Sequence, residues 1–281
     1  MNKGPGLFTD IGKNAKDLLT KDYSYDQKFS VSTFTDAGVA LTSTAAKKGG
    51  ISTGDVAAQY KYKDHVIDVK VDTESNISTT VTFHEIVPST KAIATVKFPQ
   101  YDSSKVEYLW RCNTSMNMHS TLTTAANLNQ SPVVDFSVTL GTANFAFGVE
   151  STYETKLGSL TKYNAGISVK SADYDASAVL ADKGDTLKGS YVHYLGLPKR
   201  SAGVIEIARR FSTNENTITA GGSYAIDDLT VVKARLNSNG KLGALLQHEL
   251  KPKSLLTISS EIDTKALDKN PRFGLALAMK P

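Results

Sequence analysis

The chain is poor in the residues that staple, chelate or catalyse. Its one cysteine, Cys112, excludes an internal disulfide framework, and with no second thiol it reads as a passive strand residue. The five histidines, His65, His84, His119, His193 and His248, lie far apart and contain no H-E-x-x-H pair, so metal binding has no sequence support. No apolar run approaches the roughly 18 to 20 residues of a transmembrane helix. After Met1–Gly6 (MNKGPG) no apolar segment with a small-residue cleavage site follows, which argues against ordinary secretion or a bacterial periplasmic route. Charge of one sign is also lacking. Lys+Arg number 32 against 28 Asp+Glu, a net +4. That weak basic bias suits anionic solutes or lipids and falls short of a nucleic-acid-binding face.

Catalytic motifs fail on context. Gly50-Ile51-Ser52-Thr53-Gly54 matches the G-x-S-x-G of a nucleophile elbow, but the following residues alternate as a strand where the elbow needs a helix, so it reads as a hairpin turn. Gly12-Lys13 and Gly240-Lys241 resemble the end of a phosphate loop, yet Leu7 and Arg235 stand where its first glycine belongs. Nothing argues for an enzyme, a metal or a cofactor.

What the chain does have is alternation. From Phe29 onward apolar and polar residues change places with a period of two, the period of a β-strand. Val56, Ala58, Tyr60 and Tyr62 oppose Ala57, Gln59, Lys61 and Lys63. Ile67, Val69 and Val71 oppose Asp68, Lys70 and Asp72, and Phe273, Leu275, Leu277 and Met279 alternate with Gly274, Ala276 and Ala278. Turn signals separate the runs at 36–38, 47–50, 63–64, 141–144, 182–185 and 237–240. The polar face is rich in small neutral residues with scattered charge, which suits a soluble sandwich or a water-filled barrel. About 250 residues at roughly 13 per strand and turn give on the order of 19 strands. Open sheets rarely exceed about 10. One closed barrel of that size would enclose an aqueous channel and leave no edges. A spanning strand needs only about 9 to 11 residues with one apolar face, so the low mean hydropathy of −0.23 does not exclude a membrane.

The N-terminus differs. Leu7, Phe8, Ile11, Ala15, Leu18 and Leu19 follow a three-to-four spacing, with Asp10, Lys13, Asn14, Lys16, Asp17 and Lys21 on the other side. This predicts one amphipathic helix over about 7–20, interrupted at Gly12. Packing on a β core, lying on a membrane surface and folding into a barrel lumen are all open to it.

The stretch from Tyr224 to Leu246 resembles the signature of the eukaryotic mitochondrial porins, the voltage-dependent anion channels. It is carried by Tyr224, Asp227, Thr230, Ala234-Arg235-Leu236-Asn237-Ser238, Gly243-Ala244 and Leu246. Gly12-Lys13, Ala15, Asp17, Leu19-Thr20-Lys21 and Tyr23 are similar to the family's N-terminal segment. Arg272, Gly274, Leu277 and Met279 fit its C-terminal sorting signal. The plant members are nearest in character. That family is itself the standard instance of a 19-stranded barrel, so the strand arithmetic agrees with it without being an independent determination.

The resemblance implies an all-β transmembrane barrel over 26–281, with an N-terminal pore helix segment at 1–25 inside it. It implies that the first and last strands pair in parallel, about Lys28 to Thr35 beside Phe273 to Lys280. It implies a voltage-dependent, weakly anion-selective channel of the mitochondrial outer membrane, with a plastid or plasma-membrane pool as an alternative. The partners it implies are membrane lipid, permeating anions with ATP and ADP among them, and further copies of the chain, with no nucleic acid as primary ligand. Lys13, Lys16 and Lys21 of the helix outnumber Asp10 and Asp17, and Lys61, Lys63, Lys97, Lys233 and Arg235 are the inward strand cations expected to set selectivity. Val69 stands where animal members carry a lipid-facing glutamate, so functions of that carboxylate do not carry over. A protein-import pore and a soluble all-β binding protein are the competing readings.

Overall fold

The structure, a computed structural model, describes residues 4–85, 87–113, 118–196, 200–266 and 270–280. Nineteen strands form one closed sheet. In chain order they are β1 (Gln27–Phe34), β2 (Val39–Lys48), β3 (Ile51–Tyr62), β4 (His65–Asp72), β5 (Ile77–His84), β6 (Thr90–Phe98), β7 (Lys105–Asn113), β8 (His119–Asn127), β9 (Val133–Gly141) and β10 (Phe145–Glu154). They continue as β11 (Ser159–Lys170), β12 (Tyr174–Ala181), β13 (Thr186–Leu195), β14 (Ser201–Arg210), β15 (Glu215–Ala225), β16 (Thr230–Asn237), β17 (Lys241–Lys251), β18 (Ser254–Asp263) and β19 (Arg272–Met279). Each strand pairs antiparallel with the next in sequence. An odd number of alternating strands cannot close without one parallel pair, and that pair is β1 with β19, from Gln27↔Leu275 to Val31↔Met279. Connections after odd-numbered strands therefore open onto one mouth, here the odd mouth, and those after even-numbered strands onto the even mouth.

The faces are inverted relative to a water-soluble sandwich. Outward positions carry Phe147, Val149, Ile167, Ile205, Ile207, Ile258 and Leu275, all exposed. Inward positions carry Thr139, Ser168, Thr257 and Ser259, all buried. Along the described strands no outward position holds an aspartate or glutamate. A large apolar side chain left on the surface is tolerable only where the surrounding solvent is itself apolar, so this exterior belongs in lipid, and the soluble all-β alternative fails. Val69, as expected, faces outward with Ile67 and Val71.

Turn chemistry follows the local sequence. At the β2–β3 hairpin Gly49 and Gly50 have φ of +56° and +87°, the consecutive left-handed pair that matches strand twist. The turn is these two residues, while Ile51 to Gly54 belong to β3, so the G-x-S-x-G segment is mostly strand. Lys63 lies beyond the end of β3, in the β3–β4 turn, with its ammonium 5.5 Å from the outward Tyr62 ring. It is not on a strand's inner face.

An expected outcome tests the assignment of faces. Ile167→Arg, on the lipid side of β11, should destabilise the barrel by about 2–4 kcal/mol, while Thr80→Lys, inward on β5 beside Asp68, should change stability by under about 1 kcal/mol. Urea titration of vesicle-folded protein by tryptophan fluorescence checks both.

Candidate functional site

The lumen is furnished by the N-terminal segment. Phe8–Asp10 form one 3-10 turn, Gly12 takes φ +72°, and helix α1 runs from Lys13 to Thr20. The expected helix thus exists with its interruption at Gly12, and the piece before the break is the tighter turn. Asp10 fixes that turn by accepting the Leu7 N–H at 2.9 Å and pairing with Lys13 at 3.3 Å. The apolar face of α1 goes to the wall. Ala15 and Leu19 are 2% and 3% exposed and pack with Val192, Ala202 and Val204 of β13 and β14, with Leu18 and Tyr194 alongside. Lys13 and Lys16 face water.

Contact this close requires a wall without side chains at chosen points. A Cβ at Gly148 on β10 would come 2.9 Å from the Phe8 ring, one at Gly166 on β11 3.3 Å from Ile11, and one at Gly221 on β15 3.0 Å from Leu19. At Gly243 on β17 it would meet Tyr23 at 3.3 Å and Arg235 at 3.0 Å, and at Gly274 on β19 it would overlap the Ser24 carbonyl. These inward glycines form a track from β10 to β19, and the segment from Phe8 to Ser24 lies along it. The occupant at Gly274 is the linker after the helix.

Polar tethers fix the segment in that track. Asn14 Nδ2 donates to Asp175 of β12 at 2.6 Å. Arg235 of β16 donates from Nη1 to the Leu19 carbonyl at 2.6 Å and from Nη2 to Tyr25 Oη at 2.9 Å and Glu261 at 3.1 Å, with its guanidinium 4.4 Å from the Tyr23 ring. Leu19 lies in the last turn of α1, where unpaired carbonyls and the helix dipole favour a cation. Tyr25 Oη in turn donates to Glu261 at 2.8 Å. Beyond it, Asp22 pairs with Lys233 at 3.5 Å and accepts from Gln247 at 3.2 Å, and Leu275 N–H donates to the Asp26 carbonyl at 3.1 Å. Burial pushes the Tyr23 phenol up to about 12 against the opposing pull of Arg235. It also raises Tyr25, with the hydrogen bond to Glu261 adding to the effect.

The expected selectivity residues therefore divide. Lys13, Lys16 and Lys21 are exposed on the segment, with Asp17 half-buried beside them. Lys61 and Lys97 face inward on β3 and β6. Lys233 and Arg235 also face inward, but both are spent on Asp22, Glu261 and the helix terminus. Glu261, Tyr25 and Asp175 were not singled out by the sequence, and Tyr23 and Asn14 were not among the expected selectivity residues. Their partners lie up to 236 positions away in sequence, and only strand register brings them together.

The signature acquires a physical reading. Asp227 accepts the Leu229 N–H at 2.7 Å and the Thr230 hydroxyl at 2.9 Å, which closes the β15–β16 turn. Those donors hold its carboxyl below the usual range. Asn237 accepts the Lys241 N–H at 3.0 Å in the next turn. Arg235 is the tether, and Gly243 leaves room for it and Tyr23. Tyr224, Ala234 and Leu236 are outward. Arg272 and Gly274 face inward, while Leu277 and Met279 sit opposite Phe29 and Val31 in the parallel seam. Among the described residues no group of three His, Cys, Asp or Glu side chains could hold a metal.

The profile described as "Eukaryotic porin" matches residues 4–274. The chain is 60% identical over 281 residues to "Mitochondrial outer membrane protein porin 2" of Arabidopsis thaliana, covering 100% of both chains. It is 58% identical over 279 residues to "Mitochondrial outer membrane protein porin 5" of Oryza sativa subsp. japonica, covering 99% of both. It is 47% identical over 281 residues to the "Outer plastidial membrane protein porin" of Pisum sativum, covering 100% of both. A solved mutant of the Rh. blastica porin matches at 7% identity and a TM-score of 0.40 over 83% of this chain and 89% of that one, too loosely to carry an argument.

Two outcomes test the tether. Arg235→Gln removes the cation from the Leu19 carbonyl and leaves Glu261 with the Tyr25 hydroxyl but without its ion pair, a loss of about 1.5–3 kcal/mol, so amide exchange across α1 should accelerate roughly 10- to 100-fold with β-strand protection retained. The phenol of Tyr23 has a raised pKa, so its neutral form is the docked one. Its contribution is fully present below the ordinary value of 10.0 and lost as pH rises through about 12. The tyrosinate absorbance difference between the protein and Tyr23→Phe should therefore develop near pH 12 and not near 10.

Proposed function

The chain belongs to the eukaryotic porin family, and from that premise we propose that it is a passive, weakly anion-selective and voltage-dependent channel of the mitochondrial outer membrane. The solutes it passes are small metabolites, ATP and ADP, and inorganic ions. The observation that carries this reading is a closed barrel with a polar inner face whose N-terminal segment is tethered flat to the wall. A lumen of this build passes hydrated solutes without stripping their water, and selectivity comes from the summed field of many side chains.

That field is mixed. Lys13 pairs with Asp10, Lys105 lies 3.2 Å from Glu107 and 3.6 Å from Asp135, and Lys162 lies 2.8 Å from Glu150. Paired charges largely cancel at the distance of a passing ion, and salt screens the remainder over about 8 Å. Among the exposed helix lysines, Lys16 and Lys21 have no carboxylate within 4.0 Å among the described residues and therefore supply a modest preference for anions. Lys233 and Arg235 contribute little, because their carboxylate partners neutralise them. Two relatives at about 60% identity that are named for the mitochondrial outer membrane support that location. The pea relative named for the plastid supports a plastid pool as a second reading, which fluorescent-fusion imaging in plant cells separates. The relatives at 60% and 58% identity, both named as porins, favour this channel over a protein-import pore.

The reading has a direct test. Replacing Lys13, Lys16 and Lys21 together by glutamate reverses three lumenal charges and should move the zero-current potential in a KCl gradient across a planar bilayer toward cation preference. An unchanged potential would sink the role given to the helix.

A further inference from the structure

The barrel gathers what the sequence scatters. His65 and His119 open β4 and β8, His84 closes β5, and His193 and His248 lie near the ends of β13 and β17. Each of these positions is at the odd mouth, so all five histidines of the chain share one rim and the even mouth has none.

His84 sits where a proton would matter most. It faces a recess of about 580 Å³ on the wall of β3 to β7, which lies outside the span of the glycine track. The charged groups around the recess are Lys61 of β3, Asp64 of the β3–β4 turn, Glu85 beside His84, Lys91 of β6 and Arg111 of β7. Lys91 is the register partner of His84. Three fixed cations stand against two carboxylates, a net charge of +1 with His84 neutral, and one proton on His84 makes it +2. Among the described residues none of the three cations has a carboxylate within 4.0 Å, so their field is not cancelled locally. His84 Nδ1 lies 2.8 Å from the Asp64 carbonyl oxygen, which can only accept, so Nδ1 carries the hydrogen of the neutral ring and Nε2 is the nitrogen left to take a proton.

We propose that Lys61, Lys91, Arg111 and His84 form an anion-recruiting site at the odd mouth whose strength is set by protonation of His84. The site takes small inorganic anions on their way into the lumen and makes permselectivity depend on the pH of one compartment only. This inference rests on the channel reading above. Histidine is the side chain that ordinarily changes charge between pH 5 and 8, so a step from pH 7.8 to 6.2 leaves ordinary lumenal carboxylates ionised and isolates the imidazoles. His119, the other histidine facing inward, is opposite Asn113 and Gly141 with Gly4 against it, and has no lysine as register partner.

The test uses the full chain in planar bilayers under a KCl gradient, with each side acidified in turn from pH 7.8 to 6.2. Acidifying one side should raise the chloride-to-potassium permeability ratio about 1.5-fold, the combined effect on anion and cation of one unit charge roughly 10 Å away in water screened over about 8 Å, and acidifying the other side should not. His84→Gln should lose the sided response. His84→Arg should lose it too, with the ratio fixed at the acid value, which separates a missing sensor from a misfolded barrel. His193→Gln, on the outer face, should keep the response. A wild-type response equal from both sides, or one that survives in both His84 variants or disappears with His119→Gln alone, overturns the proposal. Failure to form channels at all would instead count against the channel reading.

Discussion

Everything in this molecule follows from the need to pair backbone hydrogen bonds where no water is available. In lipid each unpaired N–H or C=O costs several kcal/mol, so the sheet must close on itself. With nineteen strands the closure includes one parallel pair, β1 with β19. That seam is short, and parallel pairing is slightly weaker per residue than antiparallel pairing. It is also where the N-terminal segment joins the wall, because the Asp26 carbonyl accepts from Leu275 immediately before β1 begins. The residues before Asp26 are thereby delivered to the lumen next to the joint that most needs support.

Closure also fixes which residues can serve the lumen. Every second strand residue faces inward, and the inner face must both carry water-compatible groups and leave space for the tethered segment. Glycine meets the second demand at five points along the track. The first demand is met by serine, threonine and paired charges. The cost of holding a cation such as Arg235 partly out of water is offset by Glu261, the Leu19 carbonyl and the Tyr23 ring. The same interactions that hold the helix remove Arg235 and Lys233 from the field that a solute meets.

Local patterns made much of this legible in advance. The period of two located strands such as Val56 to Tyr62 within β3 and Phe273 to Met279 within β19, and the three-to-four spacing located α1, with Gly12 as its break. What failed or stayed hidden depends on pairing across the sheet. Lys63 continues the alternation of β3 on paper but falls one residue past its end, because the turn has already begun. Arg235 looked like a free lumenal cation because Glu261 and Leu19 are 26 and 216 residues away. The histidines looked unrelated for the same reason. Their common rim is a property of strand direction, to which sequence spacing is blind.

The track of glycines has a mechanical consequence. From β10 to β19 the wall carries an inner band of chain, pinned at both ends and at several points between, while the strands around the His84 recess stand alone. A shell's resistance to bending rises steeply with its thickness. The barrel is thus a hoop reinforced over about half its circumference, and a force that flattens it will be absorbed by the unreinforced arc.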